Sequence, residues 1–319
     1  MSTPTNLTEP VAHKDRRVGL ILFGVLEIGI GALCALMVPL LFLALFLAPQ
    51  AMSSLDRRTV VTAPLMYGAM ATILIWLGIG SILCRRWART LLLIVSWSWL
   101  LTGVMAIAFF VWFALSLFAN EQAIPIIWIS IVVTAIFCIA VPGALVLFYQ
   151  SKHVKATCEA RDPVPRWTDT CPAPVLTASL GLGVGALFLL VTPLTNQNVV
   201  PFFGFLLTGS MATMVILACS VYGLYLAWTT YQLKISAWWG SLVAFALFSA
   251  SGAITFARID LMEFYRKSGY QEQQIEQIRN LGFFTGKIMA WIMVVFFFLF
   301  LIYLLWIKKY FRVGENHER

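Results

Sequence analysis

Charged residues are scarce in this chain. Asp, Glu, Lys and Arg make up 11% of its 319 residues, whereas an ordinary soluble domain carries about 25%. Hydrophobic residues account for 61%, and the mean hydropathy is +0.87. This composition excludes an ordinary soluble globular domain and predicts an integral membrane protein with the lipid bilayer as its main partner.

Histidines and catalytic signatures are also lacking. The chain has three histidines, His13, His153 and His317, and each falls in a polar segment. This excludes histidine-ligated haem inside the bilayer and most intramembrane metalloprotease chemistry. The sequence has no His-Glu-x-x-His motif, nucleophile elbow, Gly-rich phosphate loop or paired intramembrane carboxylates, which mark common enzyme classes. We therefore expect no enzyme activity and no cofactor.

The six cysteines include no closely spaced pair of the kind that binds zinc. Cys158 and Cys171 are separated by twelve residues, and with His153 they supply three possible ligands. Structural zinc sites use tighter Cys pairs and four ligands. The sequence therefore predicts two unconnected thiols and no metal site.

Eight apolar runs are long enough to cross a membrane, which takes about 20 helical residues for a ~30 Å hydrocarbon core. The chain is therefore predicted to be all-α, a polytopic membrane protein with eight transmembrane helices. The predicted spans are Val18–Leu47, Leu65–Leu83, Thr90–Phe118, Ile124–Phe148, Val175–Pro193, Pro201–Trp228, Ala237–Ala257 and Phe283–Ile307. Pro142 interrupts the fourth span, and we expect packing to accommodate the kink.

An internal repeat divides these helices into two sets of four. Leu26–Leu40 aligns with Leu180–Leu194 at an offset of 154, and eight of the fifteen positions are identical, Pro39 and Pro193 among them. A second match, Gly68–Thr72 with Gly209–Thr213, has an offset of 141. Because four is an even number, both sets enter the membrane from the same side. The pattern predicts two parallel four-helix repeats, related by an axis along the membrane normal.

The domain organisation follows from these spans. A Pro-rich linker with mixed charge should be extended, since proline disfavours helix. Ile275, Ile278 and Leu281 recur at near-helical spacing and predict a short amphipathic helix on the outer face. The predicted segments are an N-terminal tail 1–17, a first repeat 18–149, a linker 150–174, a second repeat 175–307 with its outer helix at about 259–282, and a C-terminal tail 308–319.

The net charge of +8 is unevenly distributed. Fifteen of the 22 Lys and Arg residues fall on the side of the N-terminus, mainly in Lys14–Arg17, Arg85–Arg89, Lys152–Arg166 and Lys308–Arg319. This matches the positive-inside rule, so it predicts cytoplasmic termini and gives no support for nucleic-acid binding. The first apolar run is expected to be an uncleaved anchor. A plasma or inner membrane is favoured over an organelle.

Glu27 is the one ionisable side chain well inside a predicted span, near the middle of the membrane. A carboxyl at that depth costs on the order of 3 kcal/mol and should face protein or a cavity. Gly24 and Gly31 share its helical face, and Gly181 takes its place in the second repeat. Because small residues let membrane helices approach closely, we expect the first and fifth helices to pack together, with Glu27 facing Gly181.

Two function classes remain open from the sequence. In the first, a small solute or ion is transported through the repeat interface, at a site of Glu27, Gly24, Gly31 and Gly181. A buried carboxyl disfavours its charged form and can exchange a proton near neutral pH. In the second, the chain is a non-catalytic membrane scaffold or accessory subunit, with another membrane protein or a second copy as partner. In that case Glu27 is a protonated, hydrogen-bonded structural group.

Overall fold

A computed structural model describes residues 14–47, 57–117, 124–195, 198–280 and 285–315. The chain is mostly helical, and eight helices in these residues are long and apolar enough to cross a membrane. The predictions of a helical fold and of eight such helices are confirmed. The first four helices, apart from their residues 44–47 and 57–65, belong to a unit made of the residues up to Leu43 and Met66–Thr170. The remaining four belong to a second unit of Ala44–Leu65 and Cys171–Arg319.

The helices of the first unit run up and down between two ends. They are α1 Arg17–Leu47, α2 Arg57–Ile82, α3 Arg86–Leu117, α4 Ile124–Ala135, α5 Val141–Gln150 and α6 Lys152–Arg161. A π-helical turn, Ile136–Ala140, joins α4 to α5. We call the end at which α1 and α3 begin, and α2 and α5 finish, the Arg17 end.

The second unit contains six helices and two strands within the described residues. These elements are α7 Ala173–Thr195, β1 Val199–Phe202, β2 Phe205–Thr208, α8 Gly209–Tyr231, α9 Ile235–Arg258, α10 Leu261–Lys267, α11 Glu272–Asn280 and α12 Gly286–Glu315. Helix α7 packs on α8, and α9 packs on α12. The α9–α12 contact includes the Trp238 indole, which donates to the carbonyl of Leu304 at 2.7 Å, and stacked rings of Phe245 and Phe300.

The π turn explains how the fourth span tolerates Pro142. Proline has no N–H, and its ring crowds the carbonyl four residues back, which here belongs to Cys138. The wider turn accommodates this crowding, and the amide of Val141 bonds to the carbonyl of Ile136. On α3, Gly103 lies directly against the displaced carbonyl of Cys138, and an added Cβ would overlap it. Packing therefore accommodates the kink, through a glycine that the sequence analysis did not single out.

The linker prediction was wrong for residues 152–161, which form α6. The four prolines that disfavour helix all follow this segment. The buried residues Val154, Thr157 and Cys158 lie on one face, at the three- and four-residue spacing of a helix that packs against a core. The Thr157 hydroxyl accepts from the amide of Arg16 at 3.1 Å. The helix α6 therefore covers the Arg17 end of the first unit.

The two units use the same turn after their second long helix. In the first unit, the amide of Cys84 bonds to the carbonyl of Ser81, and that of Arg85 to Gly80; in the second, the corresponding pairs join 233 to 230 and 234 to 229. These bonds form a Schellman motif, which needs a left-handed residue after the helix. Cys84 and Leu233 take that conformation, with φ of 52° and 60°. The two turns are 149 residues apart.

The predicted sixth span began too early. Residues 199–208 form an antiparallel hairpin in which Phe202 pairs with Phe205. The connecting residues Phe203 and Gly204 both have positive φ, as a two-residue hairpin turn requires. The hairpin is held on α9, because the Ser251 hydroxyl accepts from the amide of Phe203 and donates to the carbonyl of Pro201, both at 3.0 Å. Helix α8 therefore begins at Gly209.

The segment between α9 and α12 contains two short helices where the sequence predicted one. The Asp260 carboxylate caps α10 by accepting from the amide of Met262 at 3.1 Å. In α11, Ile275 is buried and Ile278 is half-buried, as the amphipathic pattern predicts. Arg266 and Glu272 form an ion pair between the two helices at 2.8 Å. The remaining residues of the predicted helix, Leu281 and Gly282, lie outside the described residues.

Candidate functional site

Glu27 is buried inside the first unit, with 8% of its surface exposed. It follows the first residue of α1 by ten positions, or about 15 Å along the axis. Side chains on a helix tilt towards its N-terminus, so the carboxyl lies nearer the Arg17 end than its own backbone does. The predicted position of Glu27 near the middle of the membrane stays a prediction.

The carboxyl belongs to a hydrogen-bond network that joins three helices. The Tyr149 hydroxyl, on α5, donates to Glu27 Oε1 at 3.1 Å. Ser81 Oγ, on α2, lies 3.3 Å from the same hydroxyl and donates to the carbonyl of Leu20 on α1 at 2.9 Å. Tyr149 is 0% exposed and Ser81 is 1% exposed. The network is thus a polar path, closed off from solvent, along the first turns of α1.

The second carboxyl oxygen is left without a partner. Glu27 Oε2 is buried and has no hydrogen-bond partner within the described part of the chain. A buried polar atom without a partner is costly and calls for a functional or structural explanation. The atom is therefore the point of the network at which a proton or another small partner can add.

Aromatic rings separate this network from the surroundings at the Arg17 end. The rings of Phe23 and Phe148 are 4.6 Å apart, and the ring of Phe23 is 6.2 Å from that of Tyr149. Gly19 lies beneath Phe148, and an added Cβ would come within 2.6 Å of its ring. The apolar wall restricts access of water to Tyr149 from this side.

Gly24 and Gly31, the predicted small residues of the Glu27 face, pack on α2. A Cβ at Gly24 would lie 2.7 Å from the carbonyl oxygen of Gly78, and a Cβ at Gly31 would lie 3.2 Å from that of Ala71. The small stripe therefore brings α1 against its neighbour in the same unit. Gly181 belongs to α7 in the second unit and is exposed. Its juxtaposition with Glu27 stays a prediction.

The sequence analysis missed Tyr149 and Ser81. Tyr149 is one residue from the end of α5, a position at which tyrosine commonly marks the membrane interface. Ser81 follows Gly78 by three residues and so shares its face. The signal that points to Ser81 is this hydroxyl one turn beyond a glycine in an otherwise apolar span. No comparable local signal distinguishes Tyr149.

A buried aspartate holds the segment after α6 against the beginning of α3. Asp162 is 2% exposed; it accepts from the amide of Arg86 at 3.4 Å and from Arg166 Nη2 at 3.0 Å. Arg85 Nη1 lies 3.5 Å from the same carboxylate. We call α6 and the segment that follows it, residues 152–170, the cover. An anion is favourable at a helix N-terminus, so Asp162 both caps α3 and holds the cover over the Glu27 network.

Cys158, in α6, and Cys171, just before α7, are both buried, and burial raises the pKa of Cys158 to about 12 and that of Cys171 to about 11. A thiol is a metal ligand or nucleophile as its thiolate, so a raised pKa disfavours both roles at neutral pH. Both cysteines are free. They pack as small apolar residues, as expected for buried Cys.

Within the described ranges, no cluster of three or more His, Cys, Asp or Glu residues could hold a metal ion. His13 and His317 lie outside those ranges. No family model, curated protein or solved structure matches this chain. A proposal for its function therefore rests on the residues of the Glu27 network.

Proposed function

We propose that this chain is an integral membrane protein that moves protons across the bilayer, with Glu27 as the group that binds and releases them. The observation that carries this proposal is the state of the Glu27 carboxyl. It is buried among apolar helices, one oxygen accepts from Tyr149, and the other has no partner in the described chain. Ionisable groups inside membrane helices commonly mark proton or ion pathways.

The hydrogen-bond partners of the two carboxyl oxygens favour a Glu27 that binds and releases a proton over one that serves only as a structural contact. A protonated glutamate that serves only as a structural contact donates its O–H to a carbonyl or hydroxyl. At Glu27 the Tyr149 hydroxyl donates to Oε1 of the carboxylate, and a proton on Oε2 has no acceptor in the described chain. A carboxyl with one satisfied oxygen and one open oxygen is suited to gaining and losing a proton.

Replacing Glu27 by glutamine should abolish the proton movement. The native protein in liposomes, with a valinomycin-set potassium potential and a trapped pH dye, should change the internal pH faster than protein-free vesicles. The E27Q variant keeps the shape of the side chain but cannot bind the proton, so its rate should fall to that of the empty vesicles. A native rate equal to the empty-vesicle rate, or an E27Q rate equal to the native rate, contradicts the proposal.

The control for this experiment is E263Q. Glu263 lies on α10 in the second unit and pairs with Lys267 at 2.8 Å. Both side chains are more than two-fifths exposed, and an exposed pair contributes little to stability. The E263Q variant should therefore move protons at the native rate, which separates a specific effect at Glu27 from a general effect of removing one acidic charge.

A membrane scaffold is the second candidate, and an open face of α7 favours it. Gly181 and Gly185 are exposed, and no heavy atom of the described chain lies within 4 Å of a Cβ built at either position. Small residues on an exposed face allow another membrane helix to approach. On this reading E27Q is silent, whereas G185L changes the sedimentation of the purified complex or the chain's own oligomeric state.

We also propose that the two units arose by duplication of one four-helix segment. The matching turns support this, and so does a shared carbonyl contact: Ser81 binds the carbonyl of Leu20, and Tyr303 binds the carbonyl of Pro174, 154 residues further on. Tyr303 is itself 154 residues after Tyr149. The sequence match of Gly68–Thr72 with Gly209–Thr213 supports the duplication less, because the two glycines are not at equivalent positions. Gly209 begins α8, whereas Gly68 lies within α2.

A further inference from the structure

We infer that protons reach Glu27 from the Arg17 end of the first unit, through the hydroxyls of Ser81 and Tyr149. This inference rests on the proposed function and adds the route and the side of entry. Three oxygen contacts carry it: Ser81 to the Leu20 carbonyl, Ser81 to Tyr149, and Tyr149 to Glu27. They join backbone near the start of α1 to the carboxyl seven residues later, which is about 10 Å along the helix.

The three oxygen contacts share only two hydroxyl hydrogens, so the hydrogens can be rearranged along the row. Each hydroxyl has one hydrogen. Tyr149 donates its hydrogen to Glu27, and Ser81 donates its own to Leu20. Either oxygen of the 3.3 Å contact between the two hydroxyls can be the donor, but while both hydrogens are used in this way the contact holds none. Rotation of the Ser81 hydroxyl away from Leu20 supplies one, and the row is then continuous as far as the carboxylate.

The transfer is balanced without any oxidant, reductant or cofactor. A hydronium ion gives a proton to Ser81 Oγ, the hydrogen of Ser81 moves to Tyr149, and the hydrogen of Tyr149 moves to the Glu27 carboxylate. Each hydroxyl ends with one hydrogen, the hydronium becomes water, and the carboxylate becomes a carboxylic acid. After Glu27 has released its proton, rotation of the two hydroxyls restores the starting arrangement.

The burial of the residues sets the side of entry and the step that controls it. Ser81 and Tyr149 lie one residue before the ends of α2 and α5, so both are at the Arg17 end. Ser81 is 1% exposed and Leu20 is 0% exposed, so water reaches the serine after a local opening at this end. Helix α6, fastened by Asp162, covers the end and is the element that must shift.

The test follows the protonation of Glu27 itself. After a rapid drop in pH, time-resolved infrared spectroscopy of the reconstituted protein records the carbonyl stretch of the protonated carboxyl, assigned by its loss in E27Q. In Y149F the ring remains, but the hydroxyl is removed. We expect Glu27 in Y149F to be protonated at least about tenfold more slowly, because a positioned proton donor contributes roughly 10²–10⁴-fold to a transfer rate.

Ser81 supplies a second variant and a rescue. S81A should slow protonation while keeping the bond between Tyr149 and Glu27, and S81T, which restores a hydroxyl, should return the rate towards that of the native protein. Y303F is the matched control, since it removes a tyrosine hydroxyl that donates to the Pro174 carbonyl in the second unit. Glu27 in Y303F should be protonated at the same rate as in the native protein.

The outcomes separate this inference from the proposal on which it rests. If the carboxyl band does not respond to pH in the native protein, Glu27 does not exchange a proton and the proposed function is wrong. If the band responds but Y149F and S81A both keep the native rate, Glu27 exchanges its proton by another route and the relay is wrong. Equal slowing in Y149F and Y303F also overturns the relay, because the effect is then not specific to this path.

Discussion

Replacing Gly78 by alanine is expected to lower the free energy of unfolding by about 2 kcal/mol, within the range for overpacking a tight contact. A Cβ at Gly78 would lie 2.7 Å from the carbonyl oxygen of Gly24 and 3.1 Å from the backbone nitrogen of Ile28. Both are atoms of a rigid helix backbone, so α1 and α2 must separate. The measurement is SDS-induced unfolding of the purified protein in mixed micelles.

The same variant should also impair the proposed proton path. The Ser81 hydroxyl, three residues beyond Gly78, donates to the carbonyl of Leu20 at 2.9 Å. If the two helices separate, that bond lengthens and the serine moves relative to Tyr149. The G78A variant should therefore lose stability and slow the protonation of Glu27 together.

Gly68 is the matched control, because it lies on the same helix and has no heavy atom of the described chain within 4 Å of a built Cβ. Alanine is favoured over glycine inside a helix by about 1 kcal/mol. G68A should therefore unfold at the same or a higher SDS concentration than the native protein. If G78A and G68A unfold alike, the close contact between α1 and α2 contributes nothing and the packing described for the site is wrong.

Replacing Asp162 by asparagine is expected to speed amide hydrogen exchange in residues 152–170 by about tenfold. That change corresponds to about 1.4 kcal/mol, near the lower end for a hydrogen bond to a charged group. The lower end applies because Arg85 and Arg166 are 40% and 38% exposed and are screened by solvent. Mass spectrometry of the protein in nanodiscs gives the exchange rate of each segment.

The effect of Asp162 should also depend on pH. The hydrogen bond from Arg166, together with the Arg86 amide and the charge of Arg85, holds the pKa of Asp162 below its usual value. A lowered pKa means that the carboxylate stabilises the cover above the usual aspartate pKa, and that this stabilisation is lost as pH falls through the lowered value. After correction for intrinsic exchange, residues 152–170 should open in acid in the native protein, and D162N should show no such change.

Glu159 gives the control on the same helix. Its carboxylate pairs with Lys155 at 3.8 Å, and the two side chains are 42% and 59% exposed. Exposed pairs contribute little, so E159Q should exchange like the native protein. Equal amide hydrogen exchange in D162N and the native protein would show that Asp162 does not hold the cover. The proposed entry of protons at this end would then have to be regulated by a different contact.

The sequence by itself determined the class of fold and the central residue of the site. Apolar runs of about 20 residues have one stable form in a bilayer, the helix, because every backbone polar group must be satisfied internally. The eight long helices could therefore be predicted. Glu27 could be predicted as well, since an acid within an apolar span is rare enough to be recognised from its position alone.

Boundaries that depend on particular turns were not predictable from hydropathy. The hairpin at 199–208 is as apolar as the helix that follows it, and its two positive-φ residues decide its form. Helix α6 was not predicted, because the prolines that follow it led to an extended conformation being predicted for the whole linker. In both cases the prediction used the composition of a whole segment, whereas the structure divides that segment into two parts of different conformation.

The tertiary structure alone decided which residues surround Glu27. Tyr149 is 122 residues from Glu27, and Ser81 is 68 residues from Tyr149. Helical periodicity relates residues within a few turns of one helix and carries no information over such separations. The contact of Gly24 with Gly78 brings α1 against α2, and the end of α5 then brings the tyrosine to the carboxyl. A carboxyl acquires its chemistry from its neighbours, and packing between helices selects those neighbours.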